Sequence, residues 1–183
     1  MGYAQVVRDL VLVLSKAGVP HAFGGALASG CHGLPSSTMY VDVMLIASPD
    51  EMKRLTGLVL AAGFEKVKSA SQTAAEEKFV AESTAGYRVD ISQAKTEHDV
   101  EAVKRAVKIR AFDVDIWVMA PENFVLQKLV LGRPKDIKDA LAVLTRQSVI
   151  IKKKKKLDVE YMDGWASKLN VSGELKELMG KVK

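Results

Sequence analysis

Residues 39–47 read MYVDVMLIA, an apolar run with one acid at its centre. It is the clearest strand in the chain. Alternation along a strand puts Tyr40, Asp42 and Met44 on one face and Val41, Val43 and Leu45 on the other. A carboxylate in such a run is costly to bury unless it is paired, hydrogen-bonded or holding a metal. A solvent-facing edge position would avoid that cost, so the strand's place in its sheet decides between a structural and a chemical reading of Asp42.

The segments around this strand set the fold class. Val6, Val7, Leu10, Leu14 and Ala17 recur at helical spacing, and Gly18 supplies a stop. PHAFGG reads as a short strand, and ALASGCHG as a tight helix of small residues ending at Gly33. Ser48-Pro49-Asp50-Glu51 opens a helix with a serine cap, a proline at the first position and an acid three residues after the cap. That helix runs to about Ala62. FEKVKSA, EKFVAES and YRVDISQ are three strand candidates, followed by a helix capped by Thr96 and by one or two strands in KIRAFDVDIWVM. Helices opening at Pro121 and Pro134 follow, and LDVEYMDGWASKL and SGELKELMGKVK are both amphipathic. The expectation is an α/β (α+β) chain, a small mixed sheet flanked by helices. A core is expected over residues 1–120, with a helical region over 121–183 packed on the sheet or beside it.

Charge is uneven along the 183 residues. Residues 1–92 hold 8 Lys/Arg and 9 Asp/Glu, whereas residues 93–183 hold 19 and 13. The basic excess lies in the second half, chiefly in KKKKK at 152–156. Such a run could meet nucleic-acid phosphates or an acidic partner, or serve as a solvated connector; no aromatic residue interrupts it to stack on bases. The single cysteine, Cys31, excludes an internal disulfide and a cysteine-based zinc site, and fits a reducing compartment. Arg8 and Asp9 interrupt the first apolar run, and no stretch approaches the roughly 20 apolar residues of a membrane span. A cytoplasmic protein with no membrane partner is expected.

Several positions carry chemistry. Gly24-Gly25 sits between a strand and a helix, where backbone can approach a phosphate and helix amides can receive it. Asp90, in YRVDIS, repeats the pattern of Asp42. Acids on two strands can converge on one face and hold Mg²⁺ together with substrate phosphates. Asp113 and Asp115 in FDVDIW alternate like a metal pair and rank second. Lys128 stands on an otherwise apolar helix, either aimed inward at an anion or snorkelling outward. Arg133, Lys135, Asp136 and Asp139 crowd the start of the next helix. His21 and His32 lie near the glycine pair and read as core or helix-end histidines, and His98 suggests nothing catalytic.

The order of these features resembles the nucleotidyltransferase superfamily: a glycine pair opening a helix, an acid-bearing strand, a later acid, then a K…RPKD…D helical block. More narrowly it is similar to the minimal nucleotidyltransferases, including antitoxin-like proteins of abortive-infection systems. The resemblance spans residues 5–145 and implies a mixed sheet with the active site at the glycine turn. It implies transfer of a nucleoside monophosphate from an NTP, with Mg²⁺, onto a hydroxyl of protein, RNA or a small molecule. Carried over, Gly24, Gly25 and Lys128 would hold the triphosphate. Asp42 and Asp90 would be metal ligands, Asp90 also helping to activate the acceptor. Arg133, Lys135, Asp136 and Asp139 would form the C-terminal block.

One departure bears on activity. The family strand reads Asp-x-Asp after an arginine-containing pair, whereas this chain has Tyr40 at the first acid and Ser36 in the place of the arginine. Tyrosine, neutral with a pKa near 10, is a poor Mg²⁺ ligand. The resemblance therefore implies an impaired transferase. The alternative is a catalytically inactive interaction module, with a toxin-like protein partner or with RNA held by the lysine run. Glu77 or Asp115 could replace the missing ligand.

Overall fold

The computed structural model describes residues 2–33, 35, 37–67, 78–150 and 157–182, with the backbone alone at 149–150. The lysine run, Ser36, Glu77 and the end of the first middle strand candidate lie outside the described residues.

Helix α1 (Tyr3–Ala17) buries Val6, Val7, Leu10 and Leu14 and ends at Gly18, whose φ of 67° allows its N–H to bond Leu14 O. Strand β1 (His21–Phe23) leads through Gly24 into α2 (Gly25–His32), and β2 (Tyr40–Leu45) follows. Helix α3 (Pro49–Ala61) starts with the expected reciprocal cap between Ser48 and Glu51. Next come β3 (Glu65–Lys66), β4 (Lys78–Glu82) and β5 (Arg88–Gln93), then α4 (Glu97–Lys104), capped in the same way by Thr96 and Asp99. KIRAFDVDIWVM forms two strands, β6 (Val107–Ala111) and β7 (Val114–Val118). Phe112 and Asp113 join them, both at positive φ, as a tight hairpin that follows strand twist requires.

These strands make one seven-stranded mixed sheet in the order β3-β4-β5-β2-β1-β7-β6. Strand β2 is therefore central, antiparallel to β1 and parallel to β5, which excludes the edge position for Asp42. Parallel pairing of β2 with β5 requires a crossover, and α3 lies within it. At one end of the sheet, β6 exposes Lys108 and Arg110, both paired with Asp115 on β7.

Helices α5 (Pro121–Leu131), α6 (Pro134–Ile150), α7 (Val159–Lys168) and α8 (Ser172–Gly180) complete the chain. α5 packs on α6 and α7, and α2 packs on β2 and α6. Phe124, Leu126, Val143, Leu144, Met162 and Leu178 belong to the same buried cluster as Val41, Val43 and Leu45 of the central strand. The last four helices and the sheet thus share one core. No helix among the described residues is long and apolar enough to cross a membrane.

Candidate active site

The register of three strands builds the site. β2 and β5 run in parallel with Asp42 directly beside Asp90, and β5 pairs with β4 so that Val80 stands beside Asp90. The row before it is Tyr40, Arg88 and Glu82; the row after it is Met44, Ser92 and Lys78. Two carboxylates are thereby fixed side by side, because neighbouring positions on paired strands share a face.

Asp42 faces the glycine turn. A Cβ built on Gly25 would stand 1.9 Å from Asp42 Oδ2, and Gly25 has φ of +51°. Only glycine meets both requirements, close approach and a left-handed backbone. Gly24 caps α2 and donates its N–H to Asp42 O at 2.9 Å. The turn is therefore tied to β2 by its backbone and leaves just enough room for the carboxylate.

The two acids differ in their partners. Lys78 Nζ lies 2.8 Å from Asp90 Oδ2, and Arg88 Nε donates to Asp90 Oδ1 at 2.9 Å, so each oxygen holds a cation. The Asp42 carboxylate has no hydrogen bond or ion pair to a described residue, although its backbone oxygen accepts from Gly24. Burial raises its pKa above the ordinary carboxylate value, and the neighbouring Asp90 raises it further; Lys78, Lys128 and Arg88 act in the opposite direction. The same negative centre reaches Tyr3, whose hydroxyl is pushed up to about 12 by burial and then by Asp42.

A cavity of about 230 Å³ opens here. Gly24, Gly25, Asp42 and Asp90 line it with Lys78, and Lys128 and Arg133 reach it from the helical side. Among the sequence candidates, the glycine pair, both acids and Lys128 are thus brought together. Lys128 is buried and points inward, but at protein anions: its Nζ lies 2.6 Å from Asp136 Oδ1 and 3.4 Å from Asp139 Oδ2. Arg133 bonds the other oxygen of Asp136. Burial opposes the charge on Asp136, yet hydrogen bonds from Arg133 and Lys128 outweigh it and hold this carboxyl below its usual range. Lys135 is exposed and takes no part in the block.

Other candidates lie elsewhere. Tyr40 is 52 % exposed, its ring 6.0 Å from the Arg88 guanidinium carbon. Asp113 sits in the β6–β7 turn, and Asp115 is neutralised by Lys108 and Arg110, so the alternation in FDVDIW makes a charged hairpin and not a metal pair. His32 is buried with Nε2 2.8 Å from Met119 O, and His98 stacks edge-on against Trp165. Both serve packing.

Lys78 and Arg88 escaped the sequence reading. Arg88 had a visible signal, since it stands two residues before Asp90 on a strand and shares its face. Lys78 had none, because its approach depends on how β4 registers against β5.

No family model matches the chain, and no curated protein sequence does. Solved structures do. The antibiotic-resistance factor ANT(2'')-Ia in complex with adenylyl-2''-tobramycin superposes with a TM-score of 0.58 at 13% identity, over 91% of this chain and 96% of that one. An antigenic nucleotidyltransferase-like protein from Paracoccidioides brasiliensis gives 0.54 at 14% identity, over 97% and 92%. The lincosamide antibiotic adenylyltransferase LnuA, lincomycin-bound, gives 0.53 at 10% identity, over 78% and 96%. With its central acid-bearing strand and glycine turn in the order that the sequence suggested, the chain has the nucleotidyltransferase fold.

Proposed function

We propose that the cavity binds the triphosphate of a nucleoside triphosphate, and that transfer of the nucleoside monophosphate to a hydroxyl acceptor is impaired in this chain. One observation carries the reading: Asp42 and Asp90 stand in register on adjacent strands and face a diglycine turn at the N-terminus of α2. The first turn of a helix offers amides with no intrahelical acceptor and a partial positive charge, which suits phosphate oxygens. The cavity beside it has the dimensions for part of such a ligand.

The residues present do not fit the two-ion magnesium site that an intact Asp-x-Asp pair would build. Magnesium requires near-octahedral oxygen ligands and is held through carboxylates and substrate phosphates. Tyr40 stands in place of the first acid. Asp90 already has a cation on each oxygen. Among the described residues, no group of three His, Cys, Asp or Glu is placed to hold an ion. Of the two acids, Asp42 is the one whose carboxylate oxygens have no partner among the described residues, and one carboxylate does not hold a pair of ions. Without that charge, phosphoryl transfer loses the electrostatic stabilisation that supplies most of its catalysis.

In this reading, the chain's residues bind and orient. The glycine turn admits the phosphates, and Asp42, with its raised pKa, stands where it could accept a proton from an acceptor hydroxyl. Calorimetric titration with the four common NTPs tests the binding, and transfer of radiolabelled nucleotide tests the chemistry, each on the parent and on Tyr40→Asp. Binding with slow but measurable transfer is expected of the parent. Failure of every nucleotide to bind either protein would end the proposal. The cations on Asp90 also favour a binding-only protein, and a complete lack of transfer by a parent that binds NTP selects that second reading.

A further inference from the structure

We propose that helix α1 forms a two-fold interface with a second copy of this chain, the exposed Leu12 of each copy entering the groove between α1 and α3 of the other. This groove shares no residue with the cavity at Asp42, so the pairing is independent of the nucleotide reading.

The apolar part of the surface comes from both helices. α1 turns Val6, Val7, Leu10 and Leu14 into the core. Along its outer side, Asp9, Leu12, Val13 and Lys16 line a groove of about 310 Å³, and Leu58, Ala61 and Ala62 close it from α3. Positions three and four apart share a helix face, so each helix offers one continuous stripe. Leu12 is 67 % exposed, more than any other large hydrophobic side chain among the described residues. The two alanines leave room beside it for a side chain from outside. Arg54 of α3 donates to Ala17 O at the end of α1, which fixes the two helices to each other and presets the groove.

Charge decides what fills it. Asp9 and Lys16 flank Leu12 and Val13, seven residues and about 10 Å apart along the axis. Neither meets an opposite charge among the described residues: Asp9 accepts from the neutral Gln5 Nε2 at 2.8 Å, and Lys16 makes no ion pair or hydrogen bond there. Other surface charges are matched within the chain, as Arg105 is by Asp158 and Lys181 by Glu177. The order Asp9, Leu12, Val13, Lys16 is symmetric about the point between Leu12 and Val13, with the charges reversed. Laid antiparallel on an identical helix, Asp9 meets the second copy's Lys16, Lys16 meets its Asp9, and Leu12 meets its Val13. A two-fold interface requires this property, because the same patch must complement itself. A parallel arrangement would set like charges against each other, which opposes it.

Sedimentation equilibrium of the full chain over a range of concentrations is the test. A reversible monomer–dimer equilibrium with no larger species is expected, since two-fold pairing closes on itself. Asp9→Lys and Lys16→Asp each turn both facing pairs into like charges, so each variant alone should dimerise about tenfold or more weakly. Mixed in equal amounts, the two variants should pair with one another, because positions 9 and 16 are both basic in one and both acidic in the other. Leu12→Asp, at a position too exposed to carry the fold, should leave a monomer with unchanged circular dichroism; it keeps the test sound if a charge variant fails to fold. A parent that stays monomeric throughout overturns the proposal, as do assemblies larger than two copies. A dimer indifferent to Leu12→Asp, or a mixture of folded charge variants that stays monomeric, overturns it as well.

Discussion

At the scale of single residues, Gly25 and Asp42 define the site by sharing a space that holds only one of them beyond Cα. Gly25→Ala forces a Cβ onto the carboxylate and strains a left-handed backbone. It should lower unfolding free energy by about 1–3 kcal/mol and displace Asp42; urea denaturation would measure the first effect. Asp42 itself should cost stability. Its folded pKa is raised, so above the ordinary carboxylate pKa the folded state must hold a charge that it disfavours relative to the unfolded chain. Asp42→Asn should therefore raise the melting temperature at pH 7. The gain should shrink as pH falls through the folded pKa towards the ordinary value of about 4. A gain that grows on acidification would contradict this placement. The apolar run around Asp42 made this residue legible in the sequence. That its carboxylate oxygens have no partner among the described residues was not, because that depends on which cations choose Asp90.

At the scale of elements, caps and stops were the most legible features. The Ser48–Glu51 and Thr96–Asp99 caps and the Gly18 stop rest on local chemistry within four residues, and they form as their sequences require. Ser48→Ala should cost about 1 kcal/mol, read from the urea midpoint. The start of α6 obeys a different rule. Whether Lys128 pointed inward or outward could not be read from its spacing, since both positions suit an apolar helix with one lysine. The contact between α5 and α6 settles the direction, placing its ammonium on a carboxylate that is 1 % exposed. Lys128→Met would leave Asp136 with Arg133 alone and should destabilise the chain by about 3–5 kcal/mol, the usual cost of breaking a buried pair. A double variant with Asp136→Leu should recover much of that loss.

At the scale of the whole molecule, helices α7 and α8 close the core instead of hanging from it. Met162, Ala166, Leu175 and Leu178 are buried, and Arg105 of the sheet-side region lies 3.8 Å over the Tyr161 ring while also pairing with Asp158. Met162→Ala should cost about 2–5 kcal/mol, within one cooperative unfolding transition. An early, separate transition in calorimetry would instead mark the helical end as an independent unit. The order of elements was readable because each has its own period and punctuation. The sheet order was not, since pairing β1 with β7 joins residues about a hundred positions apart. The outer strand β6 has a consequence for assembly. Lysine and arginine side chains along an open edge make the docking of a further strand electrostatically unfavourable. A second copy that docked its own β6 there would bring its Lys108 and Arg110 against this pair, so edge-to-edge pairing of two copies through β6 is opposed.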